Sequence, residues 1–144
     1  MVYLVDVNVL IARLDADHEH HRLSAQWWNR NLVQGWATCP IIENGVIRIL
    51  GRPSYPGWPG SPDRAGVALR QLIGALPGHH FFADDISPLD AQRFSGLAEV
   101  SPSQVTDLYL LALAVHHKAK FVSLDKRIPA RLIPGGTEAY VAIE

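Results

Sequence analysis

Four acidic residues lie within or directly after apolar segments, where an α/β protein normally places hydrophobic side chains. They are Asp6, Glu43, Asp107 and Asp125. Moving a carboxylate from water into an apolar environment costs several kcal/mol unless a positive partner compensates its charge. Four such positions among the 14 acids of the chain predict one shared partner. The simplest partner is a hard divalent cation such as Mg²⁺ or Mn²⁺, which prefers oxygen ligands.

Two of these acids follow predicted strands. Asp6 ends the apolar segment 2–6, and Asp125 ends the apolar segment 121–125. Short, continuously apolar segments of this kind are typical of buried parallel strands. Ligands of open α/β sheets collect at the carboxyl ends of the strands. We therefore expect both carboxylates at that edge of the sheet.

The other two acids lie in the first turns of predicted helices. Glu43 belongs to a helix that begins at Pro40, whose missing N–H is not needed in a first turn, and ends near Gly51. Asp107 opens the apolar helix predicted over 107–117. Both helices are expected to begin at the same edge of the sheet. The four carboxylates are thus predicted to converge, and without a cation they would repel one another.

The rest of the chain alternates between helical and strand patterns, which predicts an α/β fold with a mostly parallel central sheet flanked by helices. The length of 144 residues predicts one domain over 1–144. The further predicted elements are helices at 8–15, 64–75 and 88–99, a helix capped by Asp17 that runs through Leu23, Trp27, Trp28 and Leu32, a cap at Ser103 or Thr106, and strands at 36–39, 81–82 and 139–143.

Composition narrows the class of protein. Cys39 is the single cysteine, which excludes an internal disulfide and a cysteine-rich zinc site. The absence of a basic signal-peptide start and of a membrane-length apolar segment predicts a soluble, cytoplasmic protein with no membrane contact. The net charge of -1 argues against a strongly basic nucleic-acid binder. It does not exclude a nuclease, in which a local basic rim lies beside an acidic metal site.

The acids lie in four motifs that resemble, in order, those of PIN-domain ribonucleases, in particular the VapC-type toxins of bacterial toxin–antitoxin pairs. The motifs span residues 4–10, 39–45, 106–114 and 123–127. The resemblance covers essentially the whole chain and implies a PIN-like three-layer sandwich. It also implies an Mg²⁺- or Mn²⁺-dependent endoribonuclease acting on RNA, a cognate VapB-type antitoxin that blocks the site, and a toxin homodimer.

The resemblance also assigns roles by position. The catalytic and metal-binding acids are expected to be Asp6, Glu43, Asp107 and Asp125. Thr106 and Ser123 match hydroxyl positions beside the acids, where they are expected to orient a carboxylate. For Asn8 two interpretations stay open. It either hydrogen-bonds to Asp6 or a metal-bound water, or it is a plain helix cap.

Two cationic segments are candidates for contact with RNA. Lys126, Arg127 and Arg131 follow Asp125, so at least one is expected on the rim where a phosphate would enter, with plain surface charge as the alternative. The loop 51–64 has prolines at every third position, which predicts a polyproline-like conformation. Its cations and aromatic rings could stack on unpaired bases, contact the antitoxin or only connect helices. They are Arg52, Tyr55, Trp58 and Arg64.

The histidines are assigned no role from sequence. In the segment 18–21 only His18 and His21 share a helix face, and no third ligand lies nearby. Adjacent histidines at 79–80 and 116–117 are expected to point in different directions. Asp84 and Asp85 are expected in a loop, and Trp27 and Trp28 in the core or at a dimer contact.

Two other classes of function compete with a nuclease. A catalytically silent PIN-like module would act only through its protein partner, but it would have no reason to keep four repelling carboxylates. A phosphatase of the haloacid-dehalogenase type would need a second aspartate where Asn8 lies. A receiver-like phospho-acceptor would need an aspartate at the end of the second strand, which ends at Cys39.

Overall fold

Five parallel strands form the centre of the computed structural model, which describes residues 1–31, 34–57 and 60–144. The strands are β1 (Val2–Val5), β2 (Gly35–Thr38), β3 (His79–Phe81), β4 (Lys120–Ser123) and β5 (Tyr140–Ala142). They lie in the order β3-β2-β1-β4-β5, and each neighbouring pair is parallel. The predicted α/β class is confirmed, and all carboxyl ends lie at one edge.

Helices cover this sheet and complete a three-layer α/β sandwich. They are α1 (Val7–Leu14), α2 (His21–Asn31), α3 (Pro40–Leu50), α4 (Pro62–Ala75), α5 (Val105–His116) and α6 (Gly136–Ala139). Helix α1 packs against α2, α3 and α4, whereas α5 packs against α6, β1 and β4. Within the described ranges, no helix combines the length and the apolar character that crossing a membrane requires.

Burial is deepest around β1, β4 and α5. The side chains of Leu4, Val5, Phe121 and Val122 have no exposed surface, as is typical of parallel strands covered on both faces. All residues of α5 from Leu108 to Ala114 are buried, so this helix lies inside the protein rather than on it. Its first turn, which contains Asp107, therefore lies where the core meets the carboxyl edge of the sheet.

The predicted tryptophan pair packs inside the protein. Trp28 is buried and makes an edge-to-face contact with Trp36, with ring centroids 5.1 Å apart. Trp27 is half-buried and contacts Tyr3 in the same manner at 5.2 Å. This placement agrees with the core interpretation, because large aromatic rings contribute most when buried against one another.

Two helix starts differ from the sequence prediction. Asp17 is not a cap, because α2 begins at His21 and the preceding residues form turns. The backbone N–H of Asp17 donates to Asp15 Oδ1 at 3.0 Å, which turns the chain directly after α1. Helix α5 begins at Val105 without a side-chain cap, so neither Ser103 nor Thr106 caps it. Leu32, which was expected in α2, lies outside the described residues.

The helix predicted over 88–99 is wrong. The segment forms turns and a short 3₁₀ helix, Leu97–Glu99. Ser87 Oγ accepts a hydrogen bond from the backbone N–H of Leu89, and Asp90 Oδ1 accepts one from that of Gln92. Local side-chain acceptors of this kind compete with helical hydrogen bonds, which explains the failed prediction.

The loop between α3 and α4 is shorter than the predicted 51–64, and it does not have the predicted polyproline-like conformation. Helix α4 already begins at Pro62, capped by Ser61. Gly57 and Gly60 have positive φ angles of 76° and 65°, which polyproline conformation does not contain. Trp58 and Pro59 lie outside the described residues.

Close packing of α3 against α1 fixes the start of α1, and Gly45 makes that approach possible. A Cβ atom at Gly45 would lie 2.8 Å from Val7 Cγ2. We predict that Gly45→Ala lowers the free energy of unfolding by about 1 kcal/mol, because overpacking costs about 1–3 kcal/mol and outweighs a helix-propensity gain of about 0.5–1 kcal/mol. Urea unfolding measures the change.

Gly66→Ala is the matched control, since it changes another helical glycine in open surroundings. The nearest atom to its added Cβ is Ile47 Cδ1 at 3.8 Å, an ordinary contact. This variant is expected to gain up to about 0.5–1 kcal/mol. Equal stability of the two variants would contradict a tight α1–α3 contact.

Candidate active site

The register of the sheet places polar residues side by side at its carboxyl edge. Val5 pairs with Val122, so Asp6 and Ser123 occupy the next level of neighbouring strands. The backbone N–H of Asp6 donates to Val122 O at 2.9 Å, which continues the ladder by one bond. Leu4 pairs with Ala37, and Thr38 therefore ends β2 at the level of Val5. The edge predicted from sequence thus exists.

Asp6 is a buried carboxylate at the centre of this edge, with 6% of its surface exposed. It caps α1, where its Oδ1 accepts from the backbone N–H of Val7 at 2.8 Å. Its Oδ2 accepts from Ser123 Oγ at 2.7 Å. Burial raises the pKa of Asp6, the two hydrogen bonds lower it in part, and the charge of Asp125 raises it further.

The Ser123 hydroxyl connects three parts of the site. It is fully buried, and while donating to Asp6 it accepts from Asn8 Nδ2 at 3.2 Å and from the backbone N–H of Asp125 at 3.0 Å. Asn8 Oδ1 accepts from the backbone N–H of Leu124 at 3.1 Å. Asn8 is therefore neither the cap of α1 nor a direct partner of Asp6. It ties the first turn of α1 to the turn after β4.

Asp107 and Asp125 complete a group of three aspartates. Burial raises the pKa of Asp107 to about 6, with the charges of Asp6 and Asp125 as further causes. Asp125 lies two residues beyond β4, and its Oδ1 accepts from the backbone N–H of Arg127 at 2.9 Å and from Arg127 Nε at 3.3 Å. The structure thus brings three of the four predicted acids into one electrostatic group.

Glu43 is held separately, at the end of β2. The Thr38 hydroxyl, which is fully buried, donates to Glu43 Oε2 at 2.6 Å. Thr38 Oγ1 also lies 2.8 Å from His79 Nε2. Burial lowers the pKa of His79, although the charge of Glu43 raises it in part. The sequence could not indicate this histidine, because its approach to Thr38 depends on the pairing of β2 with β3.

The predicted cations lie at different places. Lys126 and Arg127 line a depression of about 510 Å³ beside Asp125. His18 and His20, for which the sequence predicts no role, also border it. Arg131 lies 3.6 Å from Glu99 in an exposed ion pair. The full lining of the depression is Asn8, His18, Glu19, His20, Leu124, Asp125, Lys126 and Arg127.

A neighbouring depression of about 310 Å³ reaches the aspartates directly, since Asp6 and Asp107 line it together with Tyr55. The Tyr55 hydroxyl donates to Asp15 Oδ2 at 2.8 Å, which holds the loop after α3 against the end of α1. Thr106 is exposed and lines a different, mostly apolar depression with Ile41. The hydrogen bonds of the described residues give Thr106 no acidic partner.

The donor chemistry of the aspartate group fits a hard divalent cation. Its ligands are carboxylate oxygens, which Mg²⁺ and Mn²⁺ prefer. Burial raises the pKa values of Asp6 and Asp107, neighbouring aspartates raise them further, and no cationic side chain among the described residues is a cause of either shift. The residues that would hold the ion are Asp6, Asp107 and Asp125, with Glu43 at the margin.

A second set of possible ligands lies at the opposite end of α5, about 14 Å from Asp107 at about 1.5 Å per residue. Among the described residues, Asp85, His116 and His117 form the one set of three whose ligand atoms all lie within 4.8 Å of one another. Both histidine Nε2 atoms contact the Asp85 carboxylate, at 3.3 Å and 3.0 Å. Contrary to the sequence prediction, the two rings therefore converge.

This second set is a hydrogen-bonded clamp rather than a metal site. Arg93 Nη2 lies 3.2 Å from His116 Nδ1. A guanidinium group can only donate, so Nδ1 accepts and the imidazole proton lies on Nε2. That proton faces Asp85, so His116 Nε2 has no free lone pair for a metal. His117 Nε2 lies 3.0 Å from Asp85 Oδ1 and 3.3 Å from Ala83 O, which only accept, so its proton also lies on Nε2. The clamp fixes the end of α5 to the segment after β3.

The Ser123 hydroxyl generates a stability prediction. We expect Ser123→Ala to lower the free energy of unfolding by about 1–3 kcal/mol at pH 7, because a buried oxygen of Asp6 loses its donor. Urea unfolding measures it, with exposed Ser101→Ala as the control, for which we expect less than about 0.5 kcal/mol. An S123A protein as stable as wild type would contradict the connecting role of this hydroxyl.

Burial of Asp107, together with its repulsion from Asp6 and Asp125, generates a pH prediction. Its folded pKa of about 6 lies above the ordinary value of 3.8, so the folded state binds more protons between these pH values. The free energy of unfolding must then fall as pH rises through this window. We expect metal-free Asp107→Asn to show a smaller fall, because the raised pKa of Asp6 still contributes, and to be about 1 kcal/mol more stable than wild type at pH 7.5, allowing for solvent screening.

Urea unfolding at pH 4.5 and pH 7.5 in the presence of a chelator tests this expectation. Asp63→Asn is the control, since Asp63 is exposed in the first turn of α4. The control should follow wild type at both pH values. An Asp107→Asn variant that is less stable than wild type at pH 7.5 would contradict the raised pKa of Asp107.

Comparison with known proteins identifies the family. The family model of the PIN domain matches residues 3–131. The chain is 40% identical over 141 residues to ribonuclease VapC44 of Mycobacterium tuberculosis, with 96% of each chain covered. It is 39% identical over 125 residues to ribonuclease VapC38 of the same species, covering 85% of this chain and 84% of the relative.

Solved structures of low sequence identity share the fold. VapBC2 from Rickettsia felis, bound to a DNA fragment from its promoter, aligns with a TM-score of 0.66, 12% identity and full coverage of both chains. VapC20 of Mycobacterium tuberculosis, a sarcin–ricin loop cleaving toxin, aligns with a TM-score of 0.64 and 17% identity, covering 92% of this chain and 96% of that one. By its family-model match and its curated relatives, this chain belongs to the PIN-domain family, among the VapC ribonucleases.

Proposed function

We propose that this protein is a divalent-metal-dependent endoribonuclease toxin of a type II toxin–antitoxin system, formed by a single domain over 1–144. The observation that carries the proposal is the group of three aspartates at the carboxyl edge of the sheet, whose pKa values are raised at Asp6 and Asp107. Such a group places carboxylates beside a depression that Asp6 and Asp107 both line. The names of the VapC relatives support a ribonuclease in particular.

The residues of the site have separable tasks in this proposal. Asp6, Asp107 and Asp125 would hold Mg²⁺ or Mn²⁺, with Glu43 as a fourth acid. The ion, when bound, supplies Lewis acidity that lowers the pKa of water and stabilises negative charge on a phosphodiester. Ser123 and Asn8 keep Asp6 and the turn after β4 in register. Thr38 orients the Glu43 carboxylate.

Lys126 and Arg127 are the cations best placed for the phosphate backbone, because they line the depression next to Asp125. Phosphate contacts by cations position a nucleic acid without reading its sequence. Arg127 is largely exposed, so its contact with Asp125 does not prevent it from reaching a phosphate. Arg131 already contacts Glu99 and is a weaker candidate.

The proposal includes protein partners. A VapB-type antitoxin would cover the acidic site, and two toxin chains would form a homodimer. The antitoxin is supported by the Rickettsia felis relative of the same fold, which was solved as a VapBC complex. The homodimer is an expectation from the family resemblance alone.

Asp6→Asn tests the proposal most simply. The substitution keeps the shape of the side chain but removes the charge at the centre of the site, so we predict a loss of RNA cleavage of at least about 100-fold. Cleavage is measured on total RNA with Mg²⁺ or Mn²⁺, followed by sequencing of the new RNA ends. Asp63→Asn, which changes an exposed acid of α4, should cleave like wild type.

A thermal melt of the same three proteins separates catalysis from folding. A metal that binds the folded state must raise the melting temperature by mass action. Wild type and Asp63→Asn should respond to millimolar Mn²⁺, and Asp6→Asn should respond much less. Cleavage by Asp6→Asn at the wild-type rate would refute the nuclease site. A wild-type protein with neither cleavage nor a metal response would favour the catalytically silent binding module.

A further inference from the structure

Glu43 differs from the three aspartates in how its side chain is held. One of its carboxylate oxygens, Oε2, accepts a short hydrogen bond of 2.6 Å from the Thr38 hydroxyl. Hydrogen bonds to an ionised acceptor are among the shorter and stronger ones in proteins. Because Thr38 is fully buried at the end of β2, its hydroxyl has a fixed position. Glu43 is therefore oriented by the sheet as well as by its own helix.

Behind Thr38 lies a second group that determines where its proton points. His79 Nε2 is 2.8 Å from Thr38 Oγ1. The hydroxyl has one proton, and the carboxylate can only accept, so the proton of Thr38 lies on the bond to Glu43. The histidine must then donate its Nε2 proton to the hydroxyl oxygen. The chain of donors runs from His79 through Thr38 to Glu43.

The pairing of β2 with β3 builds this arrangement. His79 pairs with Trp36, and Trp36 and Thr38 lie two residues apart on the same face of β2. The ring of His79 packs against that of Trp36, with centroids 4.6 Å apart. This contact holds the imidazole beside Thr38. His80, the next residue, pairs with Ala37 and is exposed, so it takes no part in the chain of donors.

We infer that Thr38 and His79 are positioning residues that hold the Glu43 carboxylate ready for the divalent cation, His79 acting through Thr38. The inference rests on the proposed function, since it assigns Glu43 to the metal site. A purely structural role would affect folding stability alone. If the two residues position Glu43, their substitution must also weaken metal binding. The size of the losses must then follow the direction of the hydrogen bonds.

Two matched pairs of variants separate the hydrogen bonds from packing. Thr38→Val keeps the shape of the side chain but removes the hydroxyl, whereas Thr38→Ser keeps the hydroxyl. His79→Phe keeps a ring against Trp36 but removes the donor, whereas His79→Gln keeps an N–H donor. His80→Phe is the control for a neighbouring histidine. Mn²⁺ affinity is measured by calorimetry on the RNA-free protein, together with kcat and KM for RNA cleavage.

We expect Thr38→Val to weaken Mn²⁺ binding by about 10-fold, because groups that orient metal ligands typically contribute 10- to 100-fold. His79→Phe should show a smaller, several-fold loss. Thr38→Ser and His79→Gln should recover most of the wild-type affinity, and His80→Phe should leave it unchanged. The losses should appear in kcat rather than in KM for RNA.

The double variant tests whether His79 acts through Thr38. If it does, adding His79→Phe to Thr38→Val causes no further loss of Mn²⁺ affinity, because the hydroxyl that relays the effect is already absent. Independent, additive losses would overturn the relay. Wild-type Mn²⁺ affinity in both single variants, with Asp6→Asn inactive, would overturn the positioning roles while leaving the proposed nuclease intact. No Mn²⁺ binding by wild type would overturn both.

Discussion

Electrostatic repulsion among carboxylates that are partly removed from water is the constraint on which this site depends. Burial raises the pKa of Asp6 and raises that of Asp107 to about 6, and the charge of Asp125 raises both further. Each shift means that the folded protein gives up free energy to keep these acids where they are. A fold keeps such an arrangement when a ligand compensates it, and a divalent cation does so with the chemistry that carboxylates prefer.

The fold supplies only part of that compensation. Asp6, Glu43 and Asp107 lie at the beginnings of α1, α3 and α5, where the backbone N–H groups of a helix give a partial positive charge of about half an elementary charge. Ser123 adds a hydroxyl donor to Asp6. These dipoles orient the carboxylates and reduce their repulsion. The pKa values of Asp6 and Asp107 stay raised, first by burial and then by neighbouring aspartates, so the dipoles do not fully offset these costs.

The sequence predicted the carboxyl edge because its signals are local. Short-range patterns predict the strands that end near Asp6 and Asp125 and the helices that begin near Glu43 and Asp107. The observed bounds of these four elements agree with the predicted bounds within about two residues. The groups that hold the acids in place are harder to predict from sequence. Asn8 contacts Ser123, and His79 contacts Thr38, although each pair is distant in sequence. Histidine pairs at 79–80 and 116–117 were discounted for the same reason. His79 meets Thr38 through the pairing of β2 with β3, whereas His116 and His117 meet Asp85 where the end of α5 packs against the segment after β3.

A crystal of the metal-free protein soaked in Mn²⁺ would show by anomalous scattering, at the manganese absorption edge, whether the three aspartates bind a divalent cation. The account predicts an anomalous peak bordered by the carboxylates of Asp6, Asp107 and Asp125. The clamp of Asp85, His116 and His117 serves as an internal reference, because its ligand atoms lie close together but the Nε2 of each histidine faces hydrogen-bond acceptors and so carries a proton. A peak at the clamp with none among the three aspartates would contradict the account.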